Sequence, residues 1–209
     1  MFDYIRDPAE IYEKSFATVR AEADLSDLSE AEATVAVRLI HACGQPAIAQ
    51  DLVFSSGAVS AGRAALAGGA SVLVDAEMVG LGIIRDRLGT KNDIICTLNE
   101  GGVREAAKNL GTTRSAAAVD LWTDKLDGAV VAIGNAPTAL FRLLELLETG
   151  AKRPALICGF AVGFVGAAES KDALIRCAPD WDIPFITIKG RLGGSAMASA
   201  CINALAGDL

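Results

Sequence analysis

Histidine occurs once in these 209 residues, at position 41, and aromatic residues make up only 5% of the chain. One imidazole cannot build an H-E-x-x-H zinc site. So few aromatic rings argue against stacking platforms for bases. A formal charge of −7 argues against a nucleic-acid partner and an anionic membrane surface. Cys43, Cys96, Cys158, Cys177 and Cys201 are odd in number, widely spaced and without a Cys-x-x-Cys pair. That pattern predicts reduced thiols, a cytoplasmic protein and no metal site. Cys43, Cys96 and Cys158 read as small core residues. No membrane span is expected: the longest uncharged run, Leu192 to Gly207, is interrupted by Gly, Ser and Asn and falls short of the ~18 to 20 apolar residues required. The first residues hold no cationic stretch leading into an apolar one, as a signal peptide would.

What the chain has is apolar bulk. Hydrophobic residues make up 52% against 22% charged, and the mean hydropathy is +0.37. A disordered chain is excluded, because such a composition buries enough apolar surface to offset chain entropy. The length predicts a single domain over residues 1–209. A protein acting on a small molecule is the natural starting point.

Asp7-Pro8-Ala9-Glu10 reads as a helix start, with an acceptor cap followed by proline at the first helical position. Ser29-Glu30-Ala31-Glu32 is a second start, a capping box, and its helix is expected to stop at Gly44 and Pro46. Short β-branched runs follow at Leu52–Phe54, Ser71–Val74, Ile94–Thr97, Val130–Ile133, Leu156–Cys158 and Phe185–Ile188. Helix formers separate them at Ala58–Ala67, Arg104–Leu110, Ser115–Leu126, Pro137–Leu147 and Ala167–Cys177, with a last helix near Gly194–Ala206. That alternation predicts βαβ units and a mainly parallel sheet covered on both faces, a three-layer α/β/α fold.

In such sheets ligands bind beyond the carboxyl ends of the strands. Three of those ends run into glycine-bearing turns: Gly134-Asn135-Ala136-Pro137, Gly159 to Gly166 with Ser170 and Lys171 following, and Lys189-Gly190-Arg191-Leu192-Gly193-Gly194. Each opens a helix, where free N–H groups attract an anion. Taken singly they are ordinary tight turns; together, two with a cation, they point to an anionic ligand. The familiar nucleotide patterns fail. Gly159 to Gly166 is spaced G-x-x-x-G-x-x-G rather than G-x-G-x-x-G, and neither a P-loop nor a G-x-S-x-G elbow is present.

Two groups could do chemistry. His41 stands in Arg38-Leu39-Ile40-His41-Ala42-Cys43-Gly44, in the last turn of the second helix. It is either a helix cap, its cation favoured by the dipole, or a proton donor. Arg38, three residues earlier, shares its face. The second group, Thr113-Arg114-Ser115 at a helix start, is either solvent-facing or a carboxylate fork. Arginine outnumbers lysine 12 to 7, in keeping with carboxylate recognition.

These segments, together with Ile133-Gly134-Asn135-Ala136-Pro137-Thr138, Val162-Gly163-Phe164-Val165-Gly166-Ala167-Ala168-Glu169-Ser170-Lys171, and Gly190-Arg191 with Gly193-Gly194-Ser195-Ala196-Met197, resemble the precorrin-8X methylmutase family over nearly the whole chain. Ala161 and Leu192 depart from the family pattern, where proline and a basic residue are usual. The resemblance implies a flavodoxin-like fold and a homodimer with sites at the subunit interface. It implies an isomerase of cobalamin biosynthesis that moves a methyl group from C-11 to C-12 of precorrin-8X, giving hydrogenobyrinic acid, and that needs no dissociable cofactor. It places catalysis on His41 and substrate contacts on Ser15 and Arg38, and suggests Arg114, Ser115, Asn135, Ser170, Lys171 and Arg191 as further binding residues. A methyl shift requires neither hydride acceptor nor nucleophile, and acetate and propionate arms would suit the arginines. Whether the substrate is metal-free or carries cobalt stays open. A corrinoid carrier without turnover and a nucleotide-dependent oxidoreductase are the rival readings, and an interaction module is the weakest.

Overall fold

The computed structural model describes residues 2–89 and 91–207. Its elements are α1 (Pro8–Glu22), α2 (Glu30–Cys43), β1 (Leu52–Phe54), α3 (Ala58–Ala67), β2 (Val72–Val74), α4 (Glu77–Gly82), β3 (Ile94–Cys96), α5 (Val103–Leu110), α6 (Arg114–Val119), β4 (Val130–Ile133), α7 (Pro137–Glu148), β5 (Leu156–Gly159), α8 (Ala167–Cys177), β6 (Phe185–Ile188) and α9 (Ser195–Leu205). The six strands form one sheet in the order β1-β6-β5-β4-β2-β3. All neighbours are parallel except β1, which runs antiparallel to β6 at one edge.

The period of two along each strand decides the layers. Val72, Val74, Val130, Ala132, Leu156, Cys158, Ile186 and Ile188 face one side, packed with the buried residues of α2, α3 and α9. Leu73, Val131, Ile133, Ile157 and Phe185 face the other, against α7, α8 and Trp122. Strands buried on both faces must be almost wholly apolar, and the central ones are, save for Thr187 of β6, whose hydroxyl donates to the Gly159 carbonyl. The three-layer α/β/α expectation therefore holds.

The local start signals work as their chemistry requires. Asp7 accepts the Glu10 N–H at 2.9 Å, and Ser29 and Glu32 form the reciprocal box that starts α2. Gly44, at φ 70°, ends α2 in the left-handed region two residues before Pro46. The expected helix over 115–126 divides into α6 and a 3-10 run over Asp120–Lys125. Trp122 lies within that run, fully buried, and donates to the Thr97 hydroxyl at 2.9 Å. Among the described residues no helix is long and apolar enough to cross a membrane, and no His/Cys/Asp/Glu cluster could hold a metal. All five cysteines are free; Cys158 and Cys201 are buried, while Cys43, Cys96 and Cys177 are only half-buried.

Candidate active site

The end of α2 borders a cleft of about 510 Å³, within the ~300–1,000 Å³ of small-molecule sites. Arg38, His41 and Ala42 line it from α2, and Tyr12 from α1. Met78, Leu81, Gly82 and Ile84 form the opposite wall, and Ala196, Ser199, Ala200 and Asn203 of α9 form the floor.

His41 does not cap its own helix. Its Nδ1 lies 2.8 Å from the Ser15 hydroxyl of α1, which leaves Nε2 as the ring nitrogen available to a ligand. Two aromatic rings hold the imidazole in place: Phe16 at 5.2 Å and Tyr12 at 5.7 Å between centroids. The capping alternative is thus not what this geometry shows. Ser15 and His41 belong to different helices, 26 positions apart in sequence.

Arg38 is only 5% exposed. Its guanidinium lies 5.5 Å over the Phe16 ring. Among the described residues it forms no salt bridge, and its buried Nε has no hydrogen-bond partner. Burial, reinforced by the nearby Arg87 charge, pulls its proton affinity below the ordinary value. A buried cation left so is costly, and an entering anion would relieve the cost.

The other expected contacts do not line this cleft. The Gly134-Asn135-Ala136 turn already holds an anion, the protein's own. Asp75, 3% exposed, accepts the N–H groups of Gly134, Asn135 and Ala136 at 2.8, 3.0 and 2.7 Å. Burial raises its proton affinity and the three N–H groups oppose that rise. The reading of this turn as an open anion seat is therefore corrected: its donors are spent on Asp75, and Asn135 keeps only an exposed side chain.

The remaining two turns are spent on each other. Gly194 N–H donates to the Phe160 carbonyl at 2.8 Å and Gly163 N–H to that of Arg191 at 3.3 Å. A Cβ at Gly193 would stand 2.3 Å from the Phe160 carbonyl oxygen, so only glycine lets these loops approach so closely. Ser170 and Lys171 are fully buried. Ser170 donates to its own helix at Ala167, and the Lys171 ammonium donates to the Leu192 carbonyl. In this chain Lys171 secures the loop before α9, and neither residue lines the cleft. Arg191 is exposed, with its guanidinium 5.5 Å over the Phe164 ring.

Arg114 and Ser115 lie half-buried in the first turn of α6, which Thr113 caps through the Ala116 N–H. Arg114 reaches Asn99 at 3.4 Å, and Asn99 donates to Glu77 at 3.0 Å. Arg114 is thus tied through Asn99 to Glu77 at the start of α4, and neither residue lines the His41 cleft.

Sequence reading missed α4, whose six residues include two glycines, and with it Asp75 and the cleft wall. It also missed Asn203, although an asparagine inside the last apolar run was a signal, since a buried amide must find partners.

The comparisons with known proteins agree with one another. The model of the precorrin-8X methylmutase family matches residues 10–207. The precorrin-8X methylmutase of Pseudomonas aeruginosa is 57% identical over 206 residues, covering 99% of this chain and 98% of that protein. The cobalt-precorrin-8 methylmutase of Priestia megaterium is 35% identical, covering 95% and 87%. The crystal structure of precorrin-8X methylmutase from Thermus thermophilus superposes with a TM-score of 0.85 at 40% identity, covering 95% of this chain and 94% of that one. With a cleft that sets a buried arginine, its Nε without a partner, beside the single histidine, this chain belongs to the precorrin-8X methylmutase family.

Proposed function

We propose that the chain isomerises metal-free precorrin-8X to hydrogenobyrinic acid, with His41 as the catalytic acid. The observation that carries this reading is the Ser15–His41 pair beside the uncompensated Arg38. As an imidazolium, His41 donates through Nδ1–H to Ser15 and holds Nε2–H for a ring nitrogen of the substrate. Withdrawing electron density there lowers the barrier as the C-11–methyl bond breaks and the C-12–methyl bond forms. Nothing else enters or leaves, so one positioned donor suffices. Arg38 takes a carboxylate arm. The 57% identity to a precorrin-8X enzyme, against 35% to a cobalt-precorrin-8 enzyme, favours the metal-free substrate.

Removing β1 and renumbering the parallel strands turns the sheet order into 2-1-3-4-5, the flavodoxin-like arrangement. A single domain over residues 1–209 is supported by the one sheet and by a family match over residues 10–207. Unpaired thiols support a cytoplasmic setting. A homodimer is supported by apolar side chains left bare near the cleft and on the β5–α8 loop: Met78 at 71% exposure, Leu81 at 85%, Phe164 at 85% and Val165 at 89%. Across such an interface Arg114, Ser115, Asn135 and Arg191 of one copy would serve the other copy's cleft.

His41→Asn tests the assignment. It keeps size and a donor but loses the charge, so turnover should fall at least ~100-fold, while hydrogenobyrinic acid still binds. A variant that only melts earlier, with its rate per folded molecule intact, would remove His41 from catalysis. Supplying cobalt-precorrin-8 in parallel decides the substrate.

A further inference from the structure

Asn203 stands on α9 among residues that line the cleft floor, with Ser199 one turn before it on the same face. It is 6% exposed, and its amide is fully engaged. Its Oδ1 accepts the Ile84 N–H at 2.8 Å, and its Nδ2 donates to the Gly82 carbonyl at 2.9 Å. Arg87 donates to its backbone carbonyl at 3.4 Å. Both side-chain partners belong to the segment that ends α4 and turns away from it, more than a hundred residues distant in sequence. That segment carries Leu81, Gly82 and Ile84, the wall facing His41.

Close packing makes the wall depend on this amide. A Cβ at Gly82 would come within 2.4 Å of the Ser199 hydroxyl, so α4 rests directly on α9. Within the six-residue helix only Val79 is buried, and Ile83 just past its end is the other apolar anchor, so the amide adds the polar fixing on either side of Ile83, where the chain turns away. Leu81 and Met78, being largely exposed, contribute nothing to holding it.

We infer that Asn203 is a positioning residue that sets the width of the cleft by clamping the end of α4 through Gly82 and Ile84. This rests on the corrinoid reading, for which a flat macrocycle must fit between His41 and that wall. An amide suits the task because one end accepts and the other donates. A carboxylate in its place could still accept from Ile84 but would oppose the Gly82 carbonyl, lone pair against lone pair. Protonated, the same group would donate again.

The experiment uses Asn203→Asp and Asn203→Ser. Titration with hydrogenobyrinic acid at pH 8 gives Kd, and amide hydrogen exchange compares Ile84 with the core amides of β4. Both variants should bind at least about fivefold more weakly, the scale of a lost hydrogen bond, with faster exchange at Ile84 and unchanged exchange in β4; a merely structural loss would speed both alike. Unchanged Ile84 exchange, or wild-type Kd in both variants, would overturn the inference. Failure of the wild type itself to bind hydrogenobyrinic acid would overturn the functional reading instead, and the exchange data alone would then decide the clamp.

Discussion

At the scale of single residues, the division of labour around His41 is set by who can donate and who can accept. Ser15 is expected at the substrate, and its hydroxyl stands 2.8 Å from Nδ1, a distance at which we propose that it acts by orienting the ring. Ser15→Ala should therefore lower kcat about five- to tenfold, one hydrogen bond's worth, with product affinity nearly unchanged. A pure loss of affinity would restore Ser15 to the substrate contacts. Arg38 is the opposite case, a cation whose Nε is buried without a partner. Arg38→Leu should weaken hydrogenobyrinic acid binding by roughly 1 to 3 kcal/mol, read by absorbance titration. Equal affinity would show that the guanidinium meets no carboxylate arm.

At the scale of elements, two of the glycine-bearing turns beyond the sheet's carboxyl edge are tied down by buried charged side chains. Asp75, just beyond β2, closes the β4–α7 turn with three N–H bonds. Asp75→Asn would set an NH2 group against at least one of those donors. Stability should drop by about 1 to 3 kcal/mol, seen as a lower urea midpoint with unchanged slope. An unshifted midpoint would mean the turn holds itself. Lys171 straps the β6–α9 loop to α8, and burial pushes its ammonium down from 10.5 to about 8. Below pH 8 folded and unfolded chains both carry that proton; between about 8 and 10.5 only the unfolded chain does. Stability should therefore climb with pH across that window relative to Lys171→Met, by on the order of 3 kcal/mol at most. Parallel pH curves for the two proteins would dismiss the strap as a source of linkage.

These elements also show what a sequence exposes and what it hides. Strand runs such as Val130–Ile133, and starts such as Asp7-Pro8 and Ser29 to Glu32, are legible because their chemistry is local. The Ser15–His41 bond is not, since it depends on how α1 crosses α2. The turns misled for a related reason. A glycine-rich turn announces free N–H groups, but only the fold reveals that Asp75 or a neighbouring loop has taken them.

At the scale of the whole molecule, the proposed roles of His41 and Arg114 have to be reconciled with their placement. The cleft contains Arg38 and His41 but not Arg114, whose guanidinium donates to Asn99. Bare apolar side chains at Met78 and Leu81 line that cleft, and a second copy seated there would bury them. If Arg114 serves the partner's cleft, each site draws on both chains. His41→Asn and Arg114→Leu homodimers would then each be impaired at both sites. Mixing them through mild denaturation and refolding should create heterodimers in which one site carries both defects and the other carries neither. Activity should reappear on mixing, and light scattering should show the dimer throughout. If instead His41 and Arg114 of the same chain met in one site, every site in the mixture would keep a defect and no activity would return. A fully active monomer by light scattering would refute the shared site outright, and Arg114 would then be a half-buried arginine held by Asn99.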